Sequence, residues 1–273
     1  MPIQHLAGLE THVEHFGQGP RRALLLHCSL GYSGAYAALG AHLGGALSIT
    51  AFDQPGHGRS ADWDGTGDLQ DQVTAIAREL LDEPMDVIGH SFGGTVALRL
   101  AITHPELVRT LTLIEPPMMA VAKADDPTAA EPIAAAMKGF NTALDAGDRE
   151  TAAQIFTGQY GDGRPWEKLN PETRKAIADR IHLIRAGAPA VQQDVHGLLA
   201  PEKMARAAMP ALIMDSGGSG VYMSAVQAGL TQRLPDATLV RVAQKGAGHM
   251  LPITHPDAVS AEILRLISRA PIQ

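Results

Sequence analysis

The sequence predicts an α/β protein built on a mostly parallel, doubly wound sheet. Strand-like and helical segments alternate over residues 23–115 and again over residues 211–267. A serine flanked by glycines stands where the apolar segment 85–88 meets the helical segment 95–103. Between the two alternating parts, residues 118–208 are rich in alanine and nearly free of β-branched apolar runs. Such alternation is typical of parallel strands with helices on both faces of the sheet.

The predicted strands are short apolar segments bounded by turn residues. Residues 11–15 alternate only weakly between apolar and polar, so we expect an edge strand there. Residues 23–27 are apolar on all sides, as a buried parallel strand should be. The later strands are predicted at residues 47–53, 85–88, 109–115, 211–215 and 238–242.

The predicted helices follow apolar residues spaced three and four apart. Asp68 is expected to cap a helix that ends near residue 82. Further helices of the core are predicted at residues 35–43, 95–103, 223–234 and 256–267, and helices of the alanine-rich part at residues 131–145, 149–160, 171–186 and 189–199. We therefore expect a core formed by residues 1–116 and 210–273, and a helical cap formed by residues 117–209.

Composition narrows the possible partners and location. Hydrophobic residues make up 45% of the 273, and the net charge is −7 without any basic run, which disfavours nucleic acid and anionic membrane as partners. No apolar run approaches a membrane span, and residues 1–14 lack a signal-peptide pattern. The single cysteine, Cys28, excludes an intramolecular disulfide and favours a cytoplasmic location. The twelve histidines are scattered, so no metal or cofactor is predicted.

Ser91 is the predicted nucleophile. It lies in Gly89-His90-Ser91-Phe92-Gly93, where a strand would turn at once into a helix. Such a turn forces strained backbone angles at its tip and leaves room only for glycine beside it. The hydroxyl would stand at a helix start, where backbone N–H groups favour negative charge. The alternative is an ordinary glycine-rich turn.

His249 is the predicted general base, since a serine hydroxyl needs a base to remove its proton. It follows the last predicted strand and precedes the last helix, so it should lie at the same sheet edge as Ser91. A surface-loop histidine is the alternative. His27 and His57 are interpreted as structural hydrogen-bonding residues, and His90 should point away from the nucleophile.

Four segments in this order resemble the α/β-hydrolase superfamily: residues 26–29, residues 53–60, the turn at residues 89–94, and residues 248–249. The resemblance covers roughly residues 9–116 and 210–268. It implies the α/β-hydrolase fold with a cap at the insertion, and it says little about substrate because this fold hosts many chemistries.

The resemblance also implies an oxyanion hole formed by the backbone N–H groups of Phe92 and Ser29. The sequence departs from the family pattern here, because Cys28 occupies a position where glycine is usual. Its side chain is expected to narrow the pocket or shift the loop. Nothing nearby in sequence lowers the thiol pKa, so we interpret Cys28 as a small-residue replacement rather than a second nucleophile.

The third member of a catalytic triad is not at its usual place. By the resemblance, the acid aligns with Ser219, and a hydroxyl cannot stabilise an imidazolium by charge. We predict Glu115 instead, one helix and one strand after Ser91, as in haloalkane dehalogenases and certain lipases of the superfamily. The following prolines are expected to hold its backbone extended. Asp215 is the second candidate for the acid. Alternatively, Glu115 would only form hydrogen bonds to the residues where the cap joins the core.

Serine at this turn favours acyl-enzyme chemistry on a small to medium, largely apolar carboxylic ester or related acyl compound. The alternatives are a catalytically weak ligand-binding member of the fold, or lyase or perhydrolase chemistry in the same pocket. C–C hydrolases often carry an aromatic residue after the catalytic histidine, whereas this chain has Met250. The side chains considered for substrate contact are Cys28, Met118, Met119, Phe140, Phe156, Tyr160, Trp166 and Met250.

Overall fold

A computed structural model describes residues 3–271, so residues 1–2 and 272–273 of the predicted core lie outside the described part. The strands are β1 (Ile3–Leu6), β2 (Leu9–Phe16), β3 (Arg21–Leu26), β4 (Leu47–Phe52), β5 (Met85–His90), β6 (Val108–Ile114), β7 (Ala211–Asp215) and β8 (Ala237–Arg241). They form one sheet in the order β1-β2-β4-β3-β5-β6-β7-β8. The two pairings of β2 are antiparallel, and all others are parallel.

The expectation that residues 11–15 form an edge strand is wrong. They belong to β2, which pairs with β1 on one side and with β4 on the other. The edge strand among the described residues, β1, has only four residues, so it carries too little periodicity to be recognised. Ala7 and Gly8, both at positive φ, close the tight turn between β1 and β2.

Helices cover both faces of the sheet. The core helices are α1 (Ala37–Leu43), α2 (Leu69–Glu79), α3 (Phe92–Thr103), α10 (Gly220–Arg233), α11 (Leu251–Thr254) and α12 (Pro256–Ser268). Apolar residues of α2, α3 and α10 pack on one face, and those of α1 and α12 pack on the other. Asp68 caps α2 by accepting from the backbone N–H of Gln70 at 2.6 Å. The predicted doubly wound, mostly parallel sheet is confirmed.

Six α-helices follow β6 and precede β7. They are α4 (Met119–Asp125), α5 (Pro127–Asp145), α6 (Arg149–Tyr160), α7 (Pro171–Arg180), α8 (His182–Gln193) and α9 (Pro201–Met204). The single helix expected at residues 171–186 is divided near Ile181. Pro189, which the sequence suggested as a helix start, lies inside α8. Proline is a weak boundary signal where the packing of neighbouring helices holds the turn.

Within residues 3–271, no helix combines the length and the apolar character needed to cross a membrane. The same described residues contain no cluster of three histidine, cysteine or acidic side chains arranged to hold a metal ion.

Candidate active site

Ser91 occupies a sharp turn between β5 and α3, with φ 54° and ψ −123°. These angles are strained for any residue that carries a side chain. The flanking glycines are required by close packing. A Cβ at Gly93 would overlap the carbonyl oxygens of Leu26, the last residue of the neighbouring strand β3, and of His27, which follows it. A Cβ at Gly89 would overlap α3. The sequence spacing around Ser91 therefore reflects the approach of α3 to the sheet.

Ser91, His249 and Glu115 lie in a hydrogen-bonded chain. The Nε2 atom of His249 is 2.8 Å from the Oγ atom of Ser91, and Nδ1 is 3.0 Å from the Oε2 atom of Glu115. All three side chains are buried, with exposures of 6% for Ser91, 4% for His249 and 0% for Glu115. The arrangement allows a proton to move from the hydroxyl to the imidazole while a carboxylate faces the opposite ring nitrogen.

The carboxylate of Glu115 is held by two further donors. The backbone N–H of Ser216 donates to Oε1 at 2.8 Å, and the hydroxyl of Ser219 donates to Oε2 at 2.5 Å. Burial acts to raise the pKa of Glu115, but the hydrogen bond and charge of His249 and the two serine donors outweigh it and lower the pKa to about 2. Ser219, the residue aligned with the usual acid, thus contacts the carboxylate of Glu115.

The extended backbone expected for Glu115 is a wrong prediction. Its φ is 46°, in the left-handed region. The backbone N–H of Glu115 still donates to the carbonyl of Met214 on β7 at 3.1 Å, so the chain stays in the sheet up to this residue and then turns sharply. The strain at Glu115 resembles that at Ser91, and such strain persists only where the surroundings enforce it.

Asp215, the second candidate for the acid, is engaged elsewhere. It accepts from the guanidinium of Arg241 at 2.7 Å, the hydroxyl of Ser224 at 3.0 Å and the backbone N–H of Gly217 at 2.7 Å. No described hydrogen bond joins Asp215 to His249. Its position at the end of β7 points it toward β8 and α10, because Arg241 and Ser224 lie on those elements.

His27 and His57 each receive a backbone N–H bond at Nε2 and face a carbonyl oxygen at Nδ1. His27 accepts from Gln54 at 2.9 Å, and His57 accepts from Leu30 at 3.0 Å. Burial lowers the pKa of His27 to about 4 and that of His57 to about 3, so both rings are neutral near pH 7. These contacts support the structural interpretation of both residues.

His90 has a supporting position that the sequence did not reveal. Its Nδ1 accepts from the hydroxyl of Tyr36 at 2.6 Å, and its Nε2 donates to the backbone carbonyl of His249 at 2.7 Å. Tyr36 in turn accepts from the backbone N–H of Cys28 at 3.0 Å. These hydrogen bonds connect the loop that carries His249 to Cys28, directly before Ser29. The residues that they join are far apart in sequence, so no local pattern indicates them.

The family resemblance implies the backbone N–H groups of Ser29 and Phe92 as oxyanion donors. Ser29 and Phe92 line the same pocket as Ser91, and within residues 3–271 neither N–H donates to a protein acceptor. Cys28 is buried, which raises the pKa of its thiol to about 11 and keeps it protonated. Its Sγ lies where a Cβ on Gly31 would come within 3.0 Å, so the thiol occupies space that Gly31 leaves open.

The pocket over Ser91 is largely apolar. Its lining includes Ser29, Phe92, Met119, Met137, Phe156, Tyr160, Ile184, Val191, Gln192 and Tyr222. The ring of Tyr160 lies 5.0 Å from that of His249 and covers it from the insertion side.

Of the side chains considered for substrate contact, Met119, Phe156 and Tyr160 line this pocket. The prediction that Met118 contacts the substrate is wrong, because this side chain is fully buried in the main core between the sheet and the helices. The same prediction for Trp166 is also wrong, because Trp166 packs with Phe140 in a separate apolar cluster of the insertion. Cys28 and Met250 line a neighbouring groove that shares Ser29, Phe156 and Tyr160 with the Ser91 pocket. The spacing of apolar residues along a helix does not show which of them pack in the core and which line a pocket.

The strand order, and a buried serine on a strand-to-helix turn beside a histidine, define the class of α/β hydrolases. The chain belongs to the Alpha/beta hydrolase family, whose model matches residues 23–262. The prediction of an α/β-hydrolase-type enzyme is confirmed at the level of this family.

The chain is similar to lipase LipV of Mycobacterium tuberculosis, at 35% identity over 58% of each chain. It is also similar to a pimeloyl-[acyl-carrier protein] methyl ester esterase of Nitrosomonas europaea, at 31% identity over 61% of this chain and 64% of that protein. The matches thus span about three fifths of these relatives. A protein of the same name from Nitrosospira multiformis is 24% identical over 94% of this chain and 98% of its own length.

Solved structures agree with the fold. An α/β hydrolase from a Medee basin deep-sea metagenome, MGS-M2, superposes with a TM-score of 0.76 at 16% identity, covering 100% of this chain and 99% of that one. The enol-lactonase of Burkholderia xenovorans LB400 gives a TM-score of 0.72 at 17% identity, covering 98% of this chain and 100% of that one. At these identities the likeness concerns the fold alone.

Proposed function

We propose that this chain is a serine hydrolase that cleaves a small to medium, largely apolar carboxylic ester or related acyl compound. The observation that carries the proposal is the contact chain from Ser91 through His249 to Glu115, next to two backbone N–H groups without protein acceptors. The names of the relatives, a lipase and methyl ester esterases, are in keeping with ester hydrolysis.

In the first half of the reaction, the Oγ of Ser91 forms a bond to the carbonyl carbon of the ester. The Nε2 of His249 takes the hydroxyl proton, and the carboxylate of Glu115 stabilises the imidazolium from the other side. The N–H groups of Ser29 and Phe92 donate to the oxyanion, and donors of this kind contribute about 2.7–4 kcal/mol each. The bond to the alcohol then breaks, and the alcohol leaves with the proton from His249.

In the second half, water replaces the alcohol. The oxygen of the water bonds to the acyl carbon while His249 takes one of the water's protons. His249 then gives this proton to the Oγ of Ser91 when the acyl–serine bond breaks. A carboxylic acid and the free enzyme result. The apolar lining of the pocket keeps bulk water away from the reacting carbonyl, which strengthens the electrostatic contacts around it.

We assign residues 117–209 to a cap and residues 1–116 and 210–273 to the catalytic core. This division is supported by the pocket lining, since Tyr160 and Ile184 of the insertion face Ser91 and Phe92 of the core. A cytoplasmic location accords with the buried, unpaired thiol of Cys28.

The test is covalent labelling with a fluorophosphonate probe, read by intact mass, together with turnover of simple p-nitrophenyl esters. We expect one adduct and ester turnover for the wild type, and neither for Ser91→Ala. Cys28→Ser is the control for an adduct on the thiol of Cys28, and it should be labelled like the wild type. A wild type that neither labels nor turns over esters would contradict the proposal and favour a ligand-binding protein.

A further inference from the structure

His90, the residue before Ser91, has both ring nitrogens in hydrogen bonds to other parts of the site. Its Nδ1 lies 2.6 Å from the hydroxyl oxygen of Tyr36, and its Nε2 lies 2.7 Å from the backbone carbonyl oxygen of His249. The hydroxyl of Tyr36 also accepts from the backbone N–H of Cys28 at 3.0 Å. All of these side chains are buried. The side chain that precedes Ser91 therefore contacts the loop of His249 directly and Cys28 through one hydroxyl.

The two ends of this series of hydrogen bonds fix the direction of every donor in it. A backbone N–H only donates, so the oxygen of Tyr36 accepts from Cys28 and its own proton points to Nδ1 of His90. A carbonyl oxygen only accepts, so Nε2 of His90 carries a proton and donates to His249. Only the neutral form of His90 with its proton on Nε2 satisfies all three bonds. Burial, together with the charge of His249, lowers the pKa of His90 to about 3 and maintains this neutral form.

The peptide group between Cys28 and Ser29 is held on its carbonyl side. The carbonyl oxygen of Cys28 accepts from the backbone N–H of Gly31 at 3.1 Å and from Nδ1 of His27 at 2.7 Å. Nδ1 of His27 is the donor because Nε2 accepts from the backbone N–H of Gln54. The described residues contain no cis peptide bond, and in a trans peptide the N–H points away from the carbonyl of the same group. The N–H of Ser29 therefore points away from His27 and Gly31.

The bonds at the two ends of the series hold two groups of the site. Both backbone polar groups of Cys28 are bonded, which fixes the direction of the next N–H, that of Ser29. At the other end, the bond from His90 holds the backbone carbonyl of His249, whose Nε2 lies 2.8 Å from the Oγ of Ser91. Loss of the hydroxyl between them would release Cys28 and His90 together. A single change would then disturb both ends of the series.

We propose that Tyr36 and His90 are positioning residues. They hold the N–H of Ser29 and the imidazole of His249 at fixed positions relative to each other. The proposal rests on the proposed function, in which these two groups act on the oxyanion and on the proton of Ser91. Neither Tyr36 nor His90 is among the described residues that line the pocket. Their effect is therefore expected in the transition state, where oxyanion and imidazolium exist together, and not in ester binding.

The first experiment is Tyr36→Phe, which removes the hydroxyl and keeps the ring. Because a misplacement of about 1 Å costs about 10²-fold in rate, we expect kcat for a p-nitrophenyl ester to fall roughly 10- to 100-fold with KM nearly unchanged. Thr110→Val is the matched control. It removes a buried hydroxyl that donates to Asp86 at 2.9 Å, near the starts of β5 and β6 and thus at the opposite end of these strands from Ser91. This control should lower the unfolding midpoint and leave kcat unchanged.

Binding of a transition-state analogue separates positioning from a general change in the pocket. An alkyl trifluoromethyl ketone forms a bond to Ser91 and develops an oxyanion, whereas the alcohol of the same carbon skeleton only fills the pocket. We expect Tyr36→Phe to weaken the ketone by about the same factor as kcat/KM and to leave the affinity for the alcohol unchanged. Equal weakening of both compounds would overturn the proposal, as would a kcat for Tyr36→Phe close to that of the wild type.

His90→Gln and His90→Leu test the central side chain. Glutamine presents one acceptor and one donor, so it can accept from Tyr36 and donate to the carbonyl of His249, whereas leucine can do neither. We expect the glutamine variant to keep clearly more of the wild-type kcat than the leucine variant. Adding Tyr36→Phe to His90→Leu should cost little more, because both changes break the same connection. Additive losses, or equal kcat of the glutamine and leucine variants, would contradict the proposal.

Failure of the proposed function is detected separately, as a wild type that neither labels nor turns over esters. The position of His249 can be followed even then, by the downfield proton NMR resonance of the hydrogen between its Nδ1 and the Oε2 of Glu115, atoms 3.0 Å apart. We expect this resonance to shift in Tyr36→Phe and to stay in place in Thr110→Val. An unchanged resonance in Tyr36→Phe would overturn the positioning role whether or not the wild type is active.

Discussion

Replacing Glu115 by glutamine tests the central contact of the site with a minimal change in shape. The carboxylate accepts from Ser216 and Ser219 and faces the Nδ1 of His249 at 3.0 Å. An amide keeps the volume but loses the negative charge, and its NH₂ group would face one of these donors. Removal of this charge from a serine triad costs about 10⁴-fold in kcat where it has been measured. We therefore expect kcat to fall about 10³- to 10⁴-fold, which corresponds to about 4–5.5 kcal/mol.

KM should change little, because Glu115 is fully buried behind His249 and does not reach the pocket surface. The assay is steady-state hydrolysis of a p-nitrophenyl ester, with the rate of fluorophosphonate labelling as a second readout. Asp215→Asn is the matched control, since Asp215 is an equally buried carboxylate at the end of the adjacent strand. Its carboxylate contacts Arg241 and Ser224 and does not contact His249, so kcat should stay near the wild-type value.

Two results would refute this reasoning. If Glu115→Gln retained more than about a tenth of the wild-type kcat, the carboxylate would not be the charge that supports the imidazolium. If Asp215→Asn lost as much activity as Glu115→Gln, the acid would have to be assigned again. Circular dichroism and the unfolding midpoint of both variants separate these outcomes from loss of the fold.

Two further predictions concern the surroundings of Glu115. Ser219→Ala should lower kcat about tenfold with KM unchanged, because it removes one charge-assisted hydrogen bond to the carboxylate of Glu115. Ser224→Ala removes a hydrogen bond to Asp215 instead and should have little effect in the same assay. The second prediction concerns acid stability. The pKa of Glu115 is lowered to about 2 from the ordinary 4.5, so the unfolded chain takes up this proton first as the pH falls. The stability due to the ionised carboxylate is therefore complete above about pH 4.5 and is lost toward pH 2, and the difference in urea midpoint between wild type and Glu115→Gln should shrink across this range. A difference that stayed constant with pH would contradict the lowered pKa.

The order of strands and helices was largely readable from the sequence, and the errors have identifiable causes. The apolar segments that became β3 to β7 are short and bounded by turn residues, so their pattern is strong. Only four residues form β1, and their pairing with β2 depends on a turn rather than on periodicity. In the insertion, apolar residues are diluted by alanine, and the helix boundaries there depend on packing between helices.

The predicted partners of Ser91 differ in how far the sequence alone could lead to them. His249 follows from its place between the last strand and the last helix. The choice of Glu115 required a decision between the ends of two strands. Its backbone lies in the left-handed region, and no local sequence pattern indicates this conformation. Because Pro116 follows Glu115, an extended conformation was expected for Glu115 instead. A conformation of this kind is imposed by the packing of the sheet edge.

The sequence by itself determined the turn that presents Ser91, because strain and close helix–sheet packing leave a local record in the glycines on both sides. It also determined the alternation of strands and helices, since burial on both faces requires continuous apolar segments. Only the tertiary structure decided which groups support the site: Ser219 on the carboxylate of Glu115, and Tyr36 and His90 behind His249. These contacts join segments that are distant in the chain, and their formation depends on how the sheet edge and the insertion pack together.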